Sequence, residues 1–134
     1  MTGGNSAPIH DGAAALIVPS AGEAGRRGLK PIARIVAQAS NAQEPKGFTT
    51  APVGAIEKVL EEAGWKKDDV DLFEINEAFA VVAMISMRDL GLPPPQVNVN
   101  RRSCALGRPI GPSGARAILP LRPAPEPRSP AGAA

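Results

Sequence analysis

Four places in the chain hold side chains whose types could do chemistry. Asn76 and Glu77 stand side by side after a partly alternating apolar run. An asparagine there is a good helix N-cap, and a carboxylate in the first turn suits the helix dipole. Cys104 is the single thiol, and a thiol becomes nucleophilic only as thiolate, which needs a base or a positive neighbour. His10 beside Asp11 has the composition of an imidazole–carboxylate dyad, yet it lies in a loop-like stretch and reads as an incidental histidine. Arg108, in Gly107-Arg108-Pro109, carries a guanidinium that stays protonated and therefore cannot accept a proton.

The elements that must position these groups follow from spacing. Residues 12–18 form a short, continuously apolar run and predict a buried strand, broken by Pro19-Ser20. Residues 21–28 predict a short helix stopped by glycine, and the β-branched stretch 32–39 an extended segment. The clearest helix starts at Thr50 and Pro52, repeats Val53, Ile56, Val59, Leu60 and Ala63 on one face, and ends at Gly64. Residues 70–75 read as a strand. A helix over 77–90 follows, with Asn76 as its cap; it is apolar nearly all round and so belongs in an interior. Residues 97–99 suit a short strand, and 113–119 a helix that Pro120 cuts short. The order β-α-β-α-β-α is that of an α/β domain with a layered, largely parallel sheet.

Composition narrows the classes. A chain of 134 residues has room for one modest core, and with Trp65 and three phenylalanines as its only aromatics that core must be aliphatic. One cysteine excludes an internal disulfide and a cysteine-rich zinc site. No apolar run approaches the roughly 20 residues of a membrane span, and residues 1–10 lack a signal-peptide pattern, so a cytoplasmic setting is expected. From Arg101 onward six arginines face one acid, Glu126, a local charge of +5 against −3 before it. Without stacking aromatics, this basic stretch reads as an arginine-rich terminus and not as a specific nucleic-acid site.

Three collinear segments then resemble the C-terminal half of thiolases. They are residues 51–65 (APVGAIEKVLEEAGW), residues 71–80 (DLFEINEAFA), whose Asn-Glu-Ala-Phe is a hallmark of that family, and residues 97–100 (VNVN) followed by 105–116 (ALGRPIGPSGAR). The opening, Gly4-Asn5-Ser6 and Asp11 to Ala15, resembles the end of the family's N-terminal half. The resemblance divides the chain into a remnant of that half (1–28), a shortened C-terminal domain of thiolase-like fold (29–121) and a Pro/Ala-rich disordered tail (122–134).

The resemblance implies acyl transfer through a cysteine, either thiolysis of a 3-ketoacyl-CoA or condensation of two acetyl-CoA, as in fatty acid metabolism. Coenzyme A thioesters would be substrates, with no resident cofactor or metal, and the expected partner is a second copy or an intact thiolase subunit. Asn76 matches the asparagine that helps bind the thioester oxygen, and Ala78 and Phe79 would flank the thioester end of CoA. An oxyanion needs such fixed donors aimed at it.

Departures from the family pattern are equally specific. Arg108 occupies the position of the family's catalytic histidine, Arg101 and Arg102 replace glycines, and Pro112 replaces a residue with a free N–H. Cys104 precedes the histidine position, where the family carries an aliphatic residue, and reads as a small buried hydrophobe. His10 stands where the family commonly has asparagine. The nucleophilic cysteine belongs to the family's N-terminal half and the second cysteine to a later glycine-rich motif. The segment is thus expected to be inactive alone, and a non-catalytic module that docks on an intact thiolase-like subunit is the competing reading.

Overall fold

A computed structural model describes residues 1–99, Cys104 and 107–118. Four α-helices are described: α1 (Ala21–Arg26), α2 (Ala51–Ala63), α3 (Ala80–Leu90) and α4 (Ser113–Ile118). Short 3₁₀ turns precede or link them at Gly3–Asn5, Pro45–Thr50, Lys67–Asp69 and Pro94–Gln96.

Local chemistry sets the helix ends. The Ser20 hydroxyl accepts the Glu23 N–H at 3.2 Å and starts α1. After α2, Gly64 takes φ 68°, and its N–H together with that of Trp65 closes onto carbonyls of the last turn. Gly91 ends α3 in the same way at φ 62°. The Lys67 ammonium then donates to the Leu90 carbonyl at 3.0 Å, a cation on the negative end of the helix.

The core is small and aliphatic apart from one ring. Phe73, Ile75, Val82, Leu92 and Val97 are buried together, with Ile56, Val70, Phe79, Met87 and Leu90 packed against them. The amphipathic helix α2 contributes Ile56 to this cluster while Glu57, Lys58, Glu61 and Glu62 face solvent. Helix α3 buries Val82, Ala83 and Ser86 but leaves Met84 61% exposed, so it is one-sided here and not apolar-buried all round.

The expected sheet is present among the described residues as three isolated bridges. Phe73 pairs with Val97 and Ile9 with Arg108, both parallel, while Ser6 pairs with Phe79 antiparallel. The run 12–18 is exposed throughout, with Ile17 at 90%, and 32–39 makes no ladder either. This corrects the buried strand expected there. A continuously apolar strand is stable only with partners at its edges and cover on both faces, and the described residues supply neither. Residues 119–134, including the expected tail, lie outside the described residues.

Candidate functional site

The segment 75–79 is the best-fixed stretch of the candidate site. The Phe73 N–H donates to the Gln96 carbonyl at 2.8 Å and the Asn98 N–H to the Phe73 carbonyl at 2.9 Å, which sets a parallel register. At Asn98 the backbone turns into the left-handed region, φ 54°. Its side chain continues the pairing that the backbone leaves. The Asn98 Oδ1 accepts the Ile75 N–H at 2.8 Å, and its Nδ2 donates to the Ile75 carbonyl at 3.0 Å and to Glu77 Oε1 at 2.9 Å. From the other side, the Ala7 N–H donates to the Ala78 carbonyl at 3.0 Å.

These tertiary bonds displace the expected cap. Helix α3 begins at Ala80 with Phe79, φ −138° and ψ 147°, in the N-cap position and no side-chain cap. Asn76 is therefore not an N-cap. It is half-buried in an irregular stretch, where its carbonyl accepts the Ala78 N–H at 3.2 Å. Ala78 is half-buried as well. Phe79 meets Phe48 edge to face, with ring centroids 5.8 Å apart, and packs on the core.

Cys104 lies against the same segment. Its Sγ makes long, weak contacts of 3.8 Å to the carbonyls of Asn5 and Glu77, and it is half-buried, not fully buried as the sequence suggests. Burial pushes the thiol pKa up, and the Glu77 carboxylate pushes it further. Such a thiol is held protonated, the opposite of an activated nucleophile.

Arg108 is fixed through its backbone. Its N–H donates to the Pro8 carbonyl at 2.8 Å, and its carbonyl accepts the His10 N–H at 3.5 Å. The guanidinium Nε is buried without a hydrogen-bond partner among the described residues. Gly107 before it adopts φ 76°, and its carbonyl accepts from Arg116 Nη1 at 3.0 Å. The His10 ring rests on Gly107 and points Nδ1 at the Pro8 carbonyl, 3.1 Å away. Because that carbonyl only accepts, Nδ1 carries the proton in this contact. Among the described residues, His10 bonds the Pro8 carbonyl and Cys104 Sγ contacts the Asn5 and Glu77 carbonyls, with no hydrogen bond between the two side chains.

Pro112 is buried, and its carbonyl accepts the Arg116 N–H at 2.9 Å as α4 begins. A proline just ahead of a helix costs no helical bond, so its missing N–H is accommodated. Arg101 and Arg102 lie outside the described residues. The structure thus brings Ala78, Phe79, Cys104 and residues 107–108 against residues 5–10, with Asn76 two residues before Ala78. Sequence reasoning missed Asn98. Its signal was an asparagine between two valines, since asparagine is among the few non-glycine residues that tolerate φ > 0.

Comparison with known proteins gives the family. The model of the thiolase C-terminal domain matches residues 29–125. An acetyl-CoA acetyltransferase of Shinella zoogloeoides is 49% identical over 121 residues, which cover 90% of this chain and 31% of that protein. The mitochondrial acetyl-CoA acetyltransferase of Xenopus tropicalis is 48% identical over 118 residues, covering 88% and 28%. Among solved structures, the acetyl-CoA acetyltransferase of Bacillus anthracis superimposes with a TM-score of 0.86 at 42% identity, covering 90% of this chain and 30% of that one. A thiolase of Ascaris suum solved in complex with coenzyme A gives 0.86 at 40%, covering 90% and 31%. The chain spans about three-tenths of the length of the relatives it matches. By the match over residues 29–125 and these relatives, the chain belongs to the thiolase family, through its C-terminal domain.

Proposed function

We propose that this chain supplies the thioester-oxygen side of an acyl-CoA acyltransferase site of the acetyl-CoA C-acyltransferase type, without the base that the reaction needs. The observation that carries the reading is the fixation of residues 75–78 from two sides, by Asn98 and by Ala7, with Asn76 at its centre. A thioester carbonyl gains negative charge as it is attacked, and a donor held in place before the reaction stabilises that charge without reorganising. Ala78 and Phe79 border the same stretch and would sit beside the thioester end of CoA. In the position of the family's histidine, Arg108 offers a permanent cation. It can hold negative charge but cannot deprotonate a thiol, so thiolysis or condensation by this segment alone stays silent.

Substrates in this reading are CoA and acyl-CoA, with no resident cofactor; the Ascaris suum thiolase in complex with coenzyme A supports the ligand class. The pathway would be fatty acid metabolism. A reducing cytoplasm suits the single thiol, and fractionation decides this against the mitochondrial placement carried in the names of some relatives. Residues 1–28 would act as the end of the N-terminal half and 29–121 as the C-terminal domain. The test is calorimetric titration of acetyl-CoA into the full chain and into Asn76→Ala. Binding by the parent and its loss in the variant supports the reading; equal binding by both contradicts it.

One observation favours a second reading, that of a non-catalytic module docking on an intact thiolase-like subunit or on a second copy. An open groove of about 310 Å³, lined among others by Ile35, Val36, Leu60, Trp65 and Leu72, runs between the extended 32–39 segment and α2. Ile17, Ile32 and Ile35 are also largely exposed, and apolar surface of this kind favours association. Co-elution with an intact thiolase subunit in size-exclusion chromatography, abolished by Ile35→Asp, would favour docking.

A further inference from the structure

We infer that Asn98 is the positioning residue of the Asn76 site, the group that decides where Asn76 is presented. The inference rests on the thioester-oxygen reading of Asn76 and deepens it by giving Asn98 the positioning role.

Three hydrogen bonds from one side chain converge on the residues either side of Asn76. The Asn98 amide receives the Ile75 N–H at 2.8 Å and donates to the Ile75 carbonyl at 3.0 Å, closing a two-point ring on the preceding peptide units. The same Nδ2 donates to Glu77 Oε1 at 2.9 Å, on the following residue. Asn76 is thereby bracketed. The residues on both sides of it are held by the one Asn98 side chain.

The backbone conformation explains how an asparagine comes to do this. Up to Asn98 the two segments pair as a parallel bridge, Phe73 with Val97. The Asn98 N–H makes the last bond of the ladder, to the Phe73 carbonyl, and at φ 54° the backbone then leaves it. An amide carries one acceptor and two donors on a single planar head. It can therefore take over both roles of a departing strand at Ile75 and still reach Glu77. Glycine would permit the turn but offers no side chain. Aspartate would keep the acceptor, lose the donor and set a second carboxylate against Glu77.

A group acting through a neighbour, and not merely making a turn, has a distinct signature. Asn98→Gly keeps the left-handed backbone and removes the clamp, whereas Asn98→Ala removes the clamp and disfavours the backbone as well. The experiment uses the full chain labelled with ¹⁵N and follows the side-chain amide resonances of Asn76, with circular dichroism to monitor the fold. Positioning predicts that both variants shift the Asn76 amide by more than its linewidth, and that Asn98→Gly does so with its helical signal unchanged. A turn-only role predicts that Asn98→Gly leaves Asn76 where it is in the parent, and that result overturns the inference.

A second titration separates this from the reading beneath it. If the parent binds acetyl-CoA, Asn98→Gly should weaken binding about tenfold, the equivalent of roughly 1.4 kcal/mol. If the parent does not bind it, the thioester reading fails, while the ligand-free resonances still decide whether Asn98 positions Asn76.

Discussion

The His10 ring lies so close over Gly107 that a Cβ built on the glycine would collide with His10 Nδ1. Gly107 also holds φ 76°, a conformation that side chains disfavour. Two separate constraints, one steric and one conformational, thus keep this position bare immediately ahead of Arg108.

Gly107→Ala should therefore destabilise the chain by about 1–2 kcal/mol from the left-handed backbone alone. Adding His10→Ala removes the ring and should recover only part of the loss. Urea denaturation of the single and double variants checks this, and a Gly107→Ala midpoint equal to the parent's contradicts it.

Phe73→Ala should cost about 3–5 kcal/mol, as expected for removing a large ring from a packed site. Phe73 is 7% exposed and lies in the core with Ile75, Val82, Leu92 and Val97, while its backbone also holds the register that sets Asn98. Loss of cooperative unfolding in urea is the expected outcome. Val99→Ala, at a position that is 45% exposed, should change little.

Which of these features could be read before the structure depended on how local their causes are. The ends of α1 and α2 were legible because Ser20, Gly28 and Gly64 act within one turn of themselves. The sheet was legible only as extended stretches. Whether residues 12–18 or 32–39 form strands depends on partners remote in sequence, and none pairs with them among the described residues. Asn76 shows the same division at one residue. Its type and place suited an N-cap, but bonds from Asn98 and Ala7, 22 and 69 positions away, hold that stretch out of the helix. The motifs singled out Asn76 and Arg108, and the VNVN segment contained Asn98 without giving it a role.

The Cys104 thiol should alkylate slowly. Burial, and then the Glu77 carboxylate, raise its pKa. The folded chain thus holds the proton more tightly than the unfolded chain, whose thiol titrates at about 8.5. The stabilisation is fully present below that value and is lost as pH rises through the higher folded value. Iodoacetamide at pH 8 should modify Cys104 more slowly than free cysteine, and Glu77→Gln should speed it severalfold. A parent rate above that of free cysteine contradicts the assignment.

The most direct test is thiolysis of acetoacetyl-CoA by CoA, followed through loss of the substrate's absorbance. It is run with the full chain alone and with the chain mixed with the N-terminal half of an intact relative, in both the parent form and Arg108→His. Arginine at position 108 cannot take a proton from a thiol, so the parent should show no turnover in either setting; Arg108→His in the mixture restores the base but not the family's second cysteine, so any turnover it gains should stay well below that of the intact relative. Turnover by the parent in the mixture would contradict the assignment of Arg108 as the group that silences this segment.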